Sequence, residues 1–202
     1  MTITAIKQQL KNPERASIFV DGKYSFSLTL SELVEERLKN GEEIDGARLK
    51  QLKKRSEDGK LRMRALEWAM NRPHSVREFR DYMFRKKADE AMTAQLTDEF
   101  VQKGYLDDAA FARWLVEIRG RAGKSQRAIK TELFKKGIAR EIVDEILEAD
   151  GENEEERLGL LVAKKSRLSR YKNDPQKLAK YLVQQGFNWQ TVKEVLSLDR
   201  IE

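Results

Sequence analysis

SQRAIKTELFKKGI, residues 125–138, is the stretch on which the fold turns. Ser125 is followed four residues on by Ile129, eight on by Leu133, and twelve and thirteen on by Gly137 and Ile138. A spacing of four puts apolar side chains on one helix face. Serine just ahead of that face is an N-cap, since its hydroxyl accepts a free amide of the first turn. Glycine twelve residues past the cap suits the left-handed residue that ends a helix. Val143, Ile146 and Leu147 then mark a second helical face.

The same pattern occurs elsewhere. Asp174 precedes Leu178, Leu182, Gly186 and Phe187, then Val192, Val195 and Leu196. Ser75 precedes Phe79 and Met83, with Lys87 and Ala88 where the glycine and the apolar residue would fall. An apolar helix runs ahead of each cap: LRMRALEWAM, AAFARWLVEIR and RLGLLVAKK. Three tandem three-helix repeats are the economical reading, over 59–108, 109–152 and 153–202. The caps are physically sensible. Ser75-Val-Arg-Glu78 has capping-box spacing, and Asp174-Pro175 sets an N-cap before proline at the first helical position.

The first 58 residues read differently. ITAIKQQ has strand character, and ASIFVDGKYSFSL holds two β-rich runs around the hairpin signal Asp21-Gly22. Thr29 and Glu32 form a capping box, after which LSELVEERLKNG predicts a helix ending near Gly41. EIDGARLKQLKKRSEDGK predicts a second, charged helix. The expected fold class is mainly α, with a small β-containing N-terminal region ahead of the repeats.

Composition narrows the chemistry. The chain has 202 residues, 40% hydrophobic and 37% charged, with 3 Pro and 11 Gly, which suits an elongated helical protein. Cysteine is absent, so disulfides, thiolate zinc sites and a thiol nucleophile are excluded. The N-terminal MTITAIKQQLKN has no apolar signal core, and no run approaches the roughly 18 apolar residues of a membrane span. The expectation is a soluble cytoplasmic protein.

The formal charge is +6, and it is segregated. Residues 119–140 carry Arg119, Arg121, Lys124, Arg127, Lys130, Lys135, Lys136 and Arg140 against Glu132 alone, a net +7. Residues 164–180 carry Lys164, Lys165, Arg167, Arg170, Lys172, Lys177 and Lys180 against Asp174 alone, a net +6. Between them, residues 141–156 hold nine acids and no Lys or Arg. Blocks of this size can neutralise phosphates, or they can be solvated helix faces that pair with neighbouring acids.

KGYLDDAAFARWL, residues 103–115, sets two carboxylates side by side, Asp107 and Asp108. Adjacent helical residues point about 100° apart, so the pair does not converge on a metal ion without a further ligand. As caps they need nothing more, because either can accept free N–H groups and complement the helix dipole. Tyr105 or Leu106 would pack on the first turn as a staple. The sole histidine, His74, cannot build a histidine metal site, and no phosphate loop, dinucleotide fingerprint or nucleophile elbow is present. No metal, cofactor or catalytic residue is expected. Trp68, Trp114 and Trp189 lie on apolar patterns that favour core packing over base stacking. Glu154-Glu155-Glu156 reads as the first turn of a helix.

GYLDDAAFARWL, SQRAIKTELFKKGI and KLAKYLVQQGF closely resemble the RecX family of recombinase regulators, in that order along the chain and after RPHSVREFRDYM. The resemblance covers roughly residues 61–199, and the 1–58 extension is similar to that of longer members. It implies a non-enzyme built as a curved, elongated array of three-helix repeats. Its implied partners are the RecA recombinase filament, whose assembly, ATPase and strand exchange it restrains, and single- or double-stranded DNA. The two basic blocks would line the concave face of such an array. The acidic stretch would set orientation or repel the wrong surface. The Lys86-Lys87 pair departs from the later repeats, so a different helix exit is expected there. Two other readings remain: an autonomous DNA-binding protein, and a metal-dependent nuclease using Asp107 and Asp108. With no zipper-like seam, a monomer is expected.

Overall fold

The structure is a computed structural model and describes residues 1–150 and 154–197. It divides into two units, Met1–Trp68 and Ala69 onward.

In the first unit, β1 (Ile3–Gln8), β2 (Arg15–Val20) and β3 (Lys23–Thr29) form an antiparallel sheet in the order β1-β2-β3. Val20 pairs with Lys23 across a two-residue turn. Its Asp21 and Gly22 both have positive φ, 48° and 78°, the conformation that matches strand twist. Ile3, Ile18, Phe26, Leu28 and Leu52 are buried together on one face. Helix α1 (Leu30–Glu35) starts at the expected capping box. The Thr29 hydroxyl accepts the Glu32 N–H at 3.2 Å, and the Glu32 carboxylate accepts the Thr29 N–H at 2.7 Å.

Two helix expectations need correction here. Helix α1 stops well before Gly41: Arg37 turns left-handed at φ 52°, and Leu38 is buried in the sheet's core. Glu36 is drawn to Arg48 at 2.6 Å and to Arg55. Burial alone would raise its carboxyl pKa, but the two guanidinium groups outweigh that and hold it below the ordinary value. The two helices expected on either side of residue 59 are instead one, α2 (Gly46–Met70), begun by Asp45, which accepts the Arg48 N–H at 2.7 Å. Gly59 lies in its interior, where a lone glycine costs only about 1 kcal/mol and does not end a helix without a cap or a left-handed turn. The boundary expected at 58/59 therefore falls inside α2.

The second unit contains α3 (Val76–Arg85), α4 (Glu90–Gln102), α5 (Asp108–Arg121), α6 (Gln126–Lys135), α7 (Arg140–Asp150), α8 (Glu154–Ser166), α9 (Ser169–Lys172), α10 (Pro175–Gln184) and α11 (Trp189–Val195). Helices α5, α6 and α7 close on a core that includes Phe111, Leu115, Ile129, Leu133 and Val143. Helices α8, α10 and α11 repeat the arrangement around Leu158, Leu178, Leu182 and Val192. The one-turn helix α9 is an addition without periodic warning, and it brings Tyr171 into that last core. The 152/153 boundary lies outside the described residues.

The repeat positions marked by Lys87, Gly137 and Gly186 all adopt positive φ, at 58°, 80° and 99°. The first repeat thus leaves its second helix as the others do, contrary to expectation. A Cβ on Gly137 would lie 2.9 Å from Arg77 Cδ, and one on Gly186 would lie 2.4 Å from Ser125 Oγ. Each of these glycines abuts the second helix of the repeat before it. Lys87 belongs to the first repeat, which has none before it, and a side chain is tolerated.

Candidate partner and nucleic-acid interface

Successive repeats meet through one recurring joint. At the first, the Ser75 hydroxyl accepts the Glu78 N–H at 3.1 Å and donates to the Lys136 carbonyl, at the end of α6, at 2.9 Å. At the second, the Ser125 hydroxyl accepts the Ala128 N–H at 3.1 Å, while the Ser125 N–H donates to the Gln185 carbonyl, at the end of α10, at 3.1 Å. Carbonyls left over at one helix end thereby find donors at the start of another. An acid from the next repeat completes each joint. Asp108 Oδ1 accepts the Val76 N–H at 2.9 Å, and Glu154 Oε1 accepts the Gln126 N–H at 2.7 Å.

The adjacent aspartates therefore divide the work. Asp107 caps its own helix, accepting from the Ala109 and Ala110 amides at 2.8 and 2.9 Å. Asp108 caps α3, in the preceding repeat. Burial pushes the Asp108 carboxyl pKa up, with the Asp107 charge adding to it against the pull of the Val76 amide and Arg80. Leu106 is buried, and Tyr105 packs edge-on against Phe100 at 5.6 Å. Asp174 caps α10 as expected, accepting the Lys177 N–H at 2.8 Å with Pro175 at the first helical position.

The capping box expected at Ser75 is only half made. The Glu78 side chain turns instead to Lys136 at 2.7 Å, Arg72 at 3.0 Å and His74 Nδ1 at 3.0 Å. Burial opposes ionisation of Glu78, but hydrogen bonds from Lys136, Arg72 and His74 outweigh it and lower its pKa to about 2. His74 is buried, with its other ring nitrogen 3.0 Å from Asn71. The Arg72 guanidinium lies 4.7 Å from the Trp114 ring centroid, a second link between the first two repeats.

This geometry sorts the two basic blocks. In the first, Arg119 clasps Glu132 through two hydrogen bonds at 2.7 and 2.8 Å, and Arg121 pairs with Glu117. Lys130 and Arg140 share Asp144, at 2.5 and 3.4 Å, and Lys136 holds Glu78. Five of the block's eight cations are thus paired within the fold, Asp144 coming from the acidic stretch itself. Lys124, Arg127 and Lys135 have no carboxylate partner among the described residues.

The second block is different. Among the described residues, none of Lys164, Lys165, Arg167, Arg170, Lys172, Lys177 and Lys180 pairs with a carboxylate. Lys165 lies over the Tyr181 ring at 5.2 Å and Arg170 over Tyr171 at 4.6 Å, with the two rings 5.6 Å apart. The block thus presents cations braced on aromatic rings rather than on acids. Sequence periodicity alone misplaced one tryptophan: Trp189 is 52% exposed. It occupies the repeat position of Glu90 and Arg140, both exposed, so that position faces solvent in every repeat.

Among the described residues no group of three or more His, Asp or Glu side chains is placed to hold a metal ion, and no helix is long and apolar enough to cross a membrane. A cleft lined by Arg113, Glu117, Arg121, Glu145 and Arg157 alternates cations with acids around an apolar floor.

Comparison with known proteins agrees with this architecture. Residues 1–45 match the regulatory protein RecX N-terminal domain, and residues 107–147 match the RecX second three-helix domain. A regulatory protein RecX of Lactobacillus johnsonii is 32% identical over 195 residues, spanning 92% of this chain and 70% of its own length. One from Clostridium beijerinckii is 29% identical over 207 residues, spanning 98% of this chain and 97% of its own. A crystal structure of regulatory protein RecX superposes with a TM-score of 0.67 at 25% identity, covering 97% of this chain and 98% of that one. The RecX structure from Lactobacillus salivarius, 19% identical over 72% of this chain and 97% of that one, shares the fold at a TM-score of 0.54. A sheet-bearing N-terminal unit, a joint repeated between three-helix units and these likenesses coincide: the chain belongs to the RecX family of regulatory proteins.

Proposed function

We propose that this protein binds the RecA recombinase filament and restrains its assembly, ATP hydrolysis and strand exchange, contacting DNA phosphates through its third repeat. It acts without catalysing a reaction, as a monomer in the cytoplasm. The observation that carries the DNA contact is the block of seven cations over residues 164–180, none paired with a carboxylate among the described residues. A cation already paired inside the fold releases little free energy on meeting a phosphate, because its partner must be given up. An unpaired one displaces condensed counterions and gains their release. Lys164, Lys165, Arg167 and Arg170 are therefore the principal contacts. Arg119, Arg121, Lys130 and Lys136 serve chiefly the repeats and their joint. Lys124, Arg127 and Lys135 are secondary contacts.

The test is DNA-dependent ATP hydrolysis by the cognate recombinase, with and without the protein. Slowing at stoichiometric or lower amounts is expected, together with co-sedimentation on the filament. Unchanged hydrolysis with no sedimentation refutes the proposal.

The same free cations favour a second reading, an autonomous, sequence-independent DNA-binding protein. That reading requires tight binding to DNA alone at physiological salt. It fails if charge reversal at Lys164 and Arg167 abolishes DNA binding yet leaves the recombinase as inhibited as before.

A further inference from the structure

The joints set the second helices of the three repeats head to tail. The end of α10 meets the start of α6 through Gln185 and Ser125, and the end of α6 meets the start of α3 through Lys136 and Ser75. Nine residues past each cap stands a large apolar side chain left in water: Phe84 at 84% exposure, Phe134 at 41% and Val183 at 40%. Single exposed hydrophobic residues are ordinary on a protein surface. These three are not independent, because they occupy one repeat position, and the chain of joints places them in sequence along one path. A ten-residue helix rises about 15 Å, so they recur roughly every 15–20 Å. A basic residue stands four before each phenylalanine, Arg80 and Lys130, and three before Val183, Lys180.

From this we infer that Phe84, Phe134 and Val183 are a row of apolar anchors for a protein partner that repeats equivalent apolar sockets, each rimmed by carboxylates. Unpaired bases fit less well. Stacking requires a ring, whereas Val183 has none, and the Lys130 ammonium lies 5.9 Å from the Phe134 centroid, over the face a base would use. The shared property is exposed apolar bulk, and beside Phe84 and Val183 the cations Arg80 and Lys180 have no ion-pair partner among the described residues, whereas Lys130 is held by Asp144. Such a surface suits sockets with an acidic rim. The inference rests on the reading that a recombinase filament is the partner, since a filament presents the same surface again with every subunit.

The experiment uses the full chain carrying Phe84→Ser, Phe134→Ser and Val183→Ser, singly and together. Helical circular dichroism should stay near wild type. The urea midpoint should barely move for Phe84→Ser and fall modestly for the half-buried Phe134 and Val183, so binding is measured under conditions where each variant is fully folded. Two bindings are then measured: co-sedimentation with the cognate recombinase assembled on single-stranded DNA, and anisotropy of a labelled oligonucleotide alone. The expected result is filament capture weakened on the order of tenfold or more in the triple variant, and less in each single one, with oligonucleotide binding unchanged. Capture equal to wild type by the triple variant overturns the row while leaving filament binding standing. Parallel loss of oligonucleotide binding also overturns it, by assigning the row to nucleic acid. Failure of the wild-type protein to sediment overturns the filament reading and the row together, and is seen before any substitution is made.

Discussion

Asp108 accepts the amide of Val76 at 2.9 Å across 32 residues of sequence, while its neighbour Asp107 serves the helix that both begin. Two adjacent carboxylates, chemically alike, thus hold together different parts of the molecule. One satisfies two free amides of its own first turn. The other is a rivet between repeats.

The two aspartates should separate experimentally. Asp107→Ala should cost about 1 kcal/mol through the lost α5 cap, with faster amide exchange at Ala109 and Ala110. Asp108→Ala should cost a similar amount, about 1 kcal/mol, but the accelerated exchange should appear at Val76, in the preceding repeat. Asp108→Asn should be milder, because the amide oxygen still accepts the bond and the buried charge is gone. Exchange measured by nuclear magnetic resonance reads each site directly. Protection at Val76 unchanged in Asp108→Ala would remove the rivet from the account.

The left-handed helix exits offer an opposed pair. Lys87→Gly should stabilise the protein by up to about 1 kcal/mol, since a side chain in that conformation costs roughly 1–2 kcal/mol and nothing in the joint requires it. Gly186→Ala should destabilise by about 2 kcal/mol or more, adding a collision with Ser125 and Ala128 to the backbone strain. Urea midpoints decide both. A neutral Gly186→Ala would mean that the second joint opens without cost.

Acid should loosen the first joint through Glu78. Its pKa is lowered to about 2 in the folded chain from an ordinary 4.5, chiefly by Lys136 and Arg72 against the opposing effect of burial. A depressed carboxyl stabilises fully above its unfolded value, and that contribution disappears as the pH falls from about 4.5 towards 2. Glu78→Gln should therefore be less stable than wild type at pH 7 and should lose less between pH 5 and pH 2. Urea titrations across that range test the sign. Parallel acid profiles for the two proteins would assign the acid sensitivity to other groups.

The two basic blocks should respond differently to substitution. Lys164→Glu with Arg167→Glu should weaken DNA binding and flatten its dependence on salt, while lowering stability by no more than about 1 kcal/mol, from the charge reversed in the last turn of α8, because neither cation pairs with an acid among the described residues. Arg119→Ala should instead lower stability by up to about 1 kcal/mol, through the lost two-point contact with Glu132, and affect DNA binding little. Anisotropy at several salt concentrations, beside unfolding curves, distinguishes the outcomes. An equal loss of DNA binding in both variants would erase the distinction between the blocks.

The residues by themselves determined the local punctuation of this protein. Ser75, Ser125 and Asp174 start helices, Asp21-Gly22 turns a hairpin, and the cap-to-glycine spacing reveals the repeat. These features act within a few residues of chain, so one sequence contains all that they need. Only the tertiary structure decided which acid serves which helix, which cations stay free, and that α2 runs unbroken through Gly59. Asp108 with Val76, Ser75 with Lys136 and Ser125 with Gln185 are pairs separated by 32, 61 and 60 residues. A carboxylate has the same chemistry whether it caps its own helix or its neighbour's, and distance along the chain says nothing of distance in space until the repeats have packed.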